Sequence, residues 1–135
     1  MKPLDVLVVD DQPGVRFLLN LVIREAGHRV HTAQNGLEAV DMVRKLNPDL
    51  VFMDVRMPLL GGLDALEKIK EMMPGANVII MSAYGSEDVE KKALRDGALC
   101  CMAKPFDVDK LRGFINEFAG ERQHRNNAAM DVCVG

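Results

Sequence analysis

The stretch LVVDDQ, residues 7–12, places a short apolar run directly before two adjacent carboxylates, Asp10 and Asp11. Residues 6–9 are all valine or leucine, which favours a strand buried on both faces. Neighbouring carboxylates repel each other, and both lose solvation if their surroundings exclude water. A buried strand that ends in such a pair therefore needs positive charge nearby, unless the pair lies in a solvated turn.

The rest of the chain repeats this alternation of apolar strands and amphipathic helices. Between the apolar runs, apolar residues recur at spacings of three and four, which is typical of helices with one buried face. The fourth helix is predicted from about Ser86 to Asp96, and the fifth covers residues 108–118. From Gly120 the periodicity stops, so residues 1–119 are predicted to form one domain and residues 120–135 a polar tail or the start of a linker. The predicted strands are residues 6–9, 28–33, 49–54, 77–82 and 99–103.

Five strand–helix units in strict alternation predict an α/β fold with a five-stranded parallel sheet and helices on both faces. Right-handed crossovers leave few topologies, and a flavodoxin-like, doubly wound sheet with strand order 2-1-3-4-5 is the compact choice. The weaker apolar pattern of residues 28–33 predicts that this strand lies at an edge.

Composition narrows the classes of protein that fit. The chain has 135 residues, of which 48% are hydrophobic, and a formal net charge of −3, which suits one domain with a real core. It has no basic stripe, which argues against direct nucleic-acid binding. The longest apolar runs have strand length, and charges near the start argue against a signal peptide. Cys100, Cys101 and Cys133 form neither a disulfide framework nor a metal motif, so a reducing cytoplasm is predicted.

Polar side chains follow or end four of the predicted strands. In a doubly wound sheet, ligands bind outside the carboxyl ends of the strands, so these side chains are expected to converge. Clustered carboxylates with access to water suit a hard divalent cation such as Mg²⁺, and a lysine adds a second positive charge. Each residue alone also fits a cap, a turn or a solvated surface position, but their coincidence at four strand ends favours a functional site. The residues are Asp10, Asp11, Asp54, Ser82 and Lys104.

Four segments resemble the motifs of two-component response-regulator receiver domains, and the match covers about residues 4–119. They are VVDDQPGVR, DLVFMDVRMP, VIIMSAYG and GALCCMAKPFD. The resemblance implies that Asp54 is the phosphoacceptor and that Asp11 is a direct Mg²⁺ ligand. It further implies that Asp10 is an acidic companion and that the Arg56 carbonyl completes the protein ligands.

The resemblance also implies roles at the last two strands. Ser82 resembles the switch hydroxyl that binds a phosphoryl oxygen, and Lys104 resembles the lysine that pairs with the phosphoryl group. The bond from Lys104 to Pro105 resembles a cis peptide of the family. A protein of this kind catalyses its own phosphorylation and dephosphorylation and is not a metabolic enzyme. Its implied partners are a sensor histidine kinase or a histidine phosphotransferase, and it is expected to be a monomer or a weak dimer.

Within the family, the chain most resembles the stand-alone receiver of the sporulation phosphorelay. An alternative is the N-terminal receiver of a longer transcriptional regulator. Cys101 stands where the family usually has Tyr or Phe, and Leu59, Leu60 and Gly61 replace a loop in which an acidic residue is common. The missing aromatic at Cys101 fits a relay protein that drives no output domain of its own.

Three other classes of protein are alternatives to a receiver domain. An aspartyl-phosphate hydrolase of the haloacid-dehalogenase type needs a second aspartate two residues after the nucleophile, and neither Asp10 nor Asp54 has one. A flavodoxin-like electron carrier needs a phosphate-binding loop after the first strand, where DDQPG is acidic. A phosphate-independent interaction module could lose site residues, and none is lost.

A partner that delivers phosphohistidine to Asp54 must approach the rim of the site. The predicted partner surface is therefore the first helix with the loops after strands one, four and five. Its residues are Gln12, Gly14, Val15, Leu18, Tyr84 and Phe106.

Overall fold

The computed structural model describes residues 2–83 and 87–124. Within these ranges, five strands form one parallel sheet in the order β2-β1-β3-β4-β5, and five helices alternate with them. The predicted fold class and strand order are confirmed. The strands are β1 Asp5–Val9, β2 Arg29–Ala33, β3 Leu50–Asp54, β4 Val78–Ala83 and β5 Cys100–Lys104. The helices are α1 Pro13–Glu25, α2 Gly36–Leu46, α3 Gly62–Met72, α4 Glu87–Arg95 and α5 Val108–His124.

The core lies on both faces of the sheet. Because successive side chains of a strand point to opposite faces, Val6 and Val8 pack in the cluster under α1 and α5. Leu7 and Val9 pack in the cluster under α2, α3 and α4. This double burial explains why β1 is apolar throughout. Strand β2 lies at an edge, as predicted, and most of its residues are partly exposed.

Local signals set the ends of the helices. Pro13 stands in the first turn of α1, where its missing N–H is not needed. The side chain of Asn35 accepts a hydrogen bond from the backbone N–H of Glu38 (2.8 Å) and so caps α2. Asn47 ends the same helix in a left-handed conformation (φ 45°) immediately before Pro48.

The helical ends differ from the sequence prediction in one respect. Helix α5 continues to His124, beyond residue 118 where the apolar pattern ends. Backbone hydrogen bonds can extend a helix into polar sequence without an apolar face, so the loss of periodicity at Gly120 did not mark its end. The division between residues 119 and 120 stays a prediction. The predicted start of α4 at Ser86 and the tail after residue 124 lie outside the described residues.

The cysteines also differ from the prediction. Cys100 is disulfide-bonded in this structure, which corrects the expectation that the cysteines form no disulfide. The adjacency of two cysteines and the spacing of all three are local features of the sequence, and neither reveals which sulfurs meet in the fold. Cys101 is a free, buried thiol, and burial together with the charge of Glu90 raises its pKa to about 11. Across residues 2–83 and 87–124, no helix has both the length and the apolar character needed to cross a bilayer.

The loop between β3 and α3 holds a strained residue, and this gives a first prediction. Leu59 has a φ of 69°, which leucine rarely adopts, and its side chain is 77% exposed. Leu59→Gly should raise the free energy of unfolding by about 1 kcal/mol, since the positive φ no longer opposes a Cβ and little buried area is lost. Urea denaturation at unchanged slope would measure the shift. Asn47→Gly is the control, because asparagine already tolerates its left-handed conformation. A lower midpoint for Leu59→Gly would contradict the prediction.

Candidate functional site

The carboxyl ends of β1, β3, β4 and β5 meet at one edge of the sheet. The strand order reverses between β1 and β3, the place where open α/β sheets bind ligands. A cleft of about 440 Å³ opens there. Five of the predicted catalytic and metal-binding residues line it, together with Gln12 of the predicted partner surface. The five are Asp11, Asp54, Arg56, Ser82 and Lys104. Val89 of α4 also lines the cleft, and no feature of its sequence neighbourhood indicated this.

Asp10 is fully buried and organises the site from behind the cleft. One carboxylate oxygen accepts a hydrogen bond from the backbone N–H of Gln12 (2.9 Å), and the other accepts one from Lys104 Nζ (2.6 Å). The carbonyl oxygen of Asp10 accepts a third from Arg16 Nη1 (2.6 Å). Asp10 therefore fixes both the turn into α1 and the position of Lys104.

Lys104 supplies the positive charge that the paired carboxylates require. Its ammonium lies 2.6 Å from Asp10 and 3.0 Å from Asp54, so it bridges the ends of β1 and β3 from the edge strand β5. Burial alone would lower the pKa of Lys104, but the hydrogen bonds to Asp10 and Asp54 outweigh it, and the pKa is raised. The ammonium is therefore charged at neutral pH.

Asp54 ends β3 in a buried position where its ionised form is disfavoured. Burial raises the pKa of the Asp54 carboxyl, the hydrogen bond from Lys104 offsets part of this rise, and the charge of Asp10 adds to it. The result is a carboxylate that gains from any further positive charge in the cleft.

Asp10, Asp11 and Asp54 form a group that fits a divalent cation. Among the described residues, one carboxylate oxygen from each lies within 4.8 Å of the others. Asp11 is exposed, so water can fill further coordination positions, as Mg²⁺ prefers. Arg56 lines the same cleft, and a role for its carbonyl stays a prediction.

Gly62 is the first residue of α3 and lets this helix start against the site. A Cβ at this position would lie 2.0 Å from the carbonyl oxygen of Asp54. The Gly62 N–H donates to the Val55 carbonyl (2.8 Å), which holds the chain directly after Asp54. The Gly61-Gly62 pair was the available signal, but only the fold shows which backbone approaches it.

The other predicted residues have different surroundings. Ser82 is 8% exposed near the end of β4, and the Lys104–Pro105 bond is cis, as the resemblance implied. Tyr84 lies outside the described residues.

The predicted partner residues divide into exposed and packed ones. Gln12 and Gly14 are exposed, whereas Val15, Leu18 and Phe106 are partly buried against the core under α1 and α5. Sequence reasoning missed Phe17 and Leu21, whose side chains on α1 are 65% and 42% exposed. Both are apolar residues one helical turn apart, but periodicity alone did not orient the helix closely enough to reveal their exposure.

A sequence model of a protein family, described as the response regulator receiver domain, matches residues 6–116 of the chain. The chain belongs to this family. Receiver domains generally bind Mg²⁺ at an acidic pocket. In this structure Asp10, Asp11 and Asp54 form an acidic cluster at the corresponding edge of the sheet. This family serves two-component signalling. Because the chain belongs to it, neither a hydrolase nor an electron carrier is needed to explain the site.

The relatives of this receiver domain include both a protein of similar length and a longer regulator. It is 42% identical over 113 residues to sporulation initiation phosphotransferase F of Bacillus subtilis, covering 84% of this chain and 91% of that protein. It is also 42% identical over 116 residues to the transcriptional regulatory protein ZraR of Klebsiella oxytoca, covering 86% of this chain but 26% of the regulator. Among solved structures, a receiver domain protein of Clostridium thermocellum has a TM-score of 0.82 at 27% identity, over 90% of this chain and 98% of that one.

Proposed function

We propose that this receiver domain takes a phosphoryl group from a phosphohistidine onto Asp54, with Mg²⁺, and passes it on as an intermediate of a phosphorelay. The observation that carries the proposal is the ammonium of Lys104, which bridges Asp10 and Asp54 beside the exposed Asp11. Of the three carboxylates, Asp54 alone both lines the cleft and contacts the lysine among the described residues. An incoming phosphoryl group would therefore meet a carboxylate nucleophile with positive charge beside it.

The chemistry follows from charge. An Asp54 oxygen attacks phosphorus, the N–P bond of phosphohistidine breaks, and the imidazole leaves with the bonding electrons and takes up a proton. Phosphoryl transfer depends mainly on positioning and charge neutralisation. A Mg²⁺ held by Asp11, Asp54 and the Arg56 carbonyl would supply neutralisation on one side when bound. Lys104 would supply it on the other, and the Ser82 hydroxyl would donate a hydrogen bond to a phosphoryl oxygen.

One feature favours a relay over a receiver that drives an attached output domain. Cys101 replaces the aromatic side chain that the resemblance led us to expect, and it is buried against the cluster under α2, α3 and α4. The alternative, an N-terminal receiver of a longer regulator, shares the same site chemistry.

We further propose a cytoplasmic protein, a monomer or weak dimer, without direct contact to nucleic acid. Its partners would be a sensor histidine kinase, a histidine phosphotransferase, or both. The net charge of −3 supports the absence of nucleic acid from this list.

Incubating the chain with a phosphorylated histidine kinase domain and Mg²⁺ tests the function, with an acid-stable, base-labile phosphate on Asp54 as the expected product. Return of the label to a histidine phosphotransferase would favour the relay, whereas its failure with every such protein of the source cell would favour the longer regulator.

A second prediction concerns docking on α1. Phe17 and Leu21 offer apolar surface to a helical partner, because they are 65% and 42% exposed and belong to neither core cluster. Phe17→Ala and Leu21→Ala should each slow transfer from a phosphohistidine partner about tenfold, the effect of losing roughly 1.4 kcal/mol of contact. Labelling by acetyl phosphate and the melting temperature should not change.

Leu37→Ala is the matched control for docking. Leu37 is 52% exposed but belongs to α2, on the opposite face of the sheet, so transfer should keep its wild-type rate. An equal loss in Leu37→Ala would contradict a docking role of α1. Val15→Ala and Leu18→Ala test two residues of the partner surface that the sequence predicts. Both substitutions lose core packing, so the transfer rates of these variants must be compared at a temperature where they remain folded.

A further inference from the structure

We propose that Arg16 is a positioning residue for the cation site, because its guanidinium holds the peptide between Asp10 and Asp11 and thereby aims the Asp11 carboxylate into the cleft. The inference rests on the proposed function, since it assigns Asp11 to the cation. Arg16 belongs to α1 and was not among the predicted site residues.

The Asp11 carboxylate is exposed and, among the described residues, takes part in no hydrogen bond or ion pair of its own. Its distance from Asp10 and Asp54 is therefore set by the backbone to which it is attached. Whatever fixes that backbone limits the positions that the Asp11 carboxylate can reach relative to Asp10 and Asp54.

The backbone before Asp11 is held at its carbonyl by Arg16. Strand β1 ends at Val9, and the Asp10 N–H still donates to the Ala33 carbonyl (3.2 Å). The Asp10 carbonyl instead accepts from Arg16 Nη1 at 2.6 Å, a charge-assisted hydrogen bond. Because the peptide unit is planar, fixing this carbonyl also fixes the N–H and Cα of Asp11.

The position of Arg16 separates this role from a simple effect of charge. The guanidinium is not part of the cleft lining, and Arg16 lines a separate shallow groove with Phe17, Asn20 and Arg24. Loss of a nearby positive charge would tighten the binding of a cation. Loss of a positioning contact would weaken it. The sign of the change in affinity therefore distinguishes the two explanations.

Binding of Mn²⁺, a spectroscopic substitute for Mg²⁺, tests the proposal on the full chain by electron paramagnetic resonance of the free ion. Arg16→Met keeps the apolar stem and removes the donor, and it should weaken binding about tenfold, the lower end of the range for residues that orient metal ligands. Arg16→Lys keeps a donor and the charge and should recover part of the affinity. The Mg²⁺ concentration for half-maximal acetyl phosphate labelling should rise with the Mn²⁺ dissociation constant, while the rate at saturating Mg²⁺ is retained.

Two controls make the outcomes distinct. Arg24→Met removes another α1 arginine, whose guanidinium bonds to Asn20, and should leave Mn²⁺ binding unchanged. Asp11→Ala should abolish most of the binding, and its failure to do so would overturn the assigned cation site and not the contact of Arg16. Unchanged or tighter binding by Arg16→Met, with Asp11→Ala deficient, would overturn the positioning role. If Arg16→Met does not fold, Arg16→Lys decides: weaker binding than wild type supports the role and equal binding overturns it.

Discussion

Asp54→Asn is expected to fold at least as stably as the wild-type chain at neutral pH and to accept no phosphoryl group. Asparagine keeps the shape of the side chain, and Lys104 keeps its 2.6 Å contact with Asp10. Because burial and the charge of Asp10 raise the pKa of Asp54, despite the hydrogen bond from Lys104, the ionised form opposes folding. The free energy of unfolding of the wild type should therefore increase as the pH falls through the folded pKa of Asp54. The difference in stability between the wild type and Asp54→Asn should become smaller over the same range.

Labelling with acetyl phosphate and Mg²⁺ measures phosphorylation. Separate urea denaturation at pH 7 and pH 5 measures the difference in stability. The phosphate content of Asp54→Asn should fall to background. Asp64→Asn, which removes an exposed carboxylate from α3, is the control and should be labelled like the wild type. Full labelling of Asp54→Asn at another residue would refute the assignment of the phosphoacceptor.

Lys104→Met should have the second large effect, on stability and on phosphorylation together. The substitution leaves the fully buried Asp10 and the largely buried Asp54 facing each other without the ammonium. Breaking a buried ion pair from one side costs about 3–5 kcal/mol, and we expect about 3 kcal/mol because the Lys104 side chain keeps 20% exposure. Asp54→Asn removes a negative charge whose ionised form opposes folding, whereas Lys104→Met removes the positive charge that offsets two carboxylates. The two substitutions are therefore expected to change stability in opposite directions.

The phosphorylation rate of Lys104→Met should fall at least a hundredfold, as when one electrostatic donor is removed from a transition state. Quench-flow labelling at saturating Mg²⁺ and urea denaturation give the two measurements. Lys68→Met, at an exposed position of α3, should match the wild type in both. A stable Lys104→Met chain that is labelled at the wild-type rate would show that the bridging contact has no role.

The sequence by itself was sufficient for the fold and for the location of the site. Continuous apolar runs alternating with helical periodicity are compatible with few arrangements other than a parallel sheet covered on both faces. Once the sheet is parallel, its strands end at a common edge, so Asp54, Ser82 and Lys104 had to converge with the carboxylates after β1. Periodicity and strand polarity are local properties, and they can be read without knowing distances.

The tertiary structure decided what local pattern could not distinguish. Asp10 and Asp11 are chemically identical neighbours, yet one is fully buried against Lys104, 94 residues away, and the other is exposed in the cleft. The apolar face of α1 was readable, but its rotation against the sheet left Phe17 exposed and packed Val15 against the core. The contacts of Arg16 and Gly62 with the backbone of the site depend likewise on how α1 and α3 approach the sheet. Burial and long-range pairing arise from the packing of whole elements, and a single chain segment does not encode them.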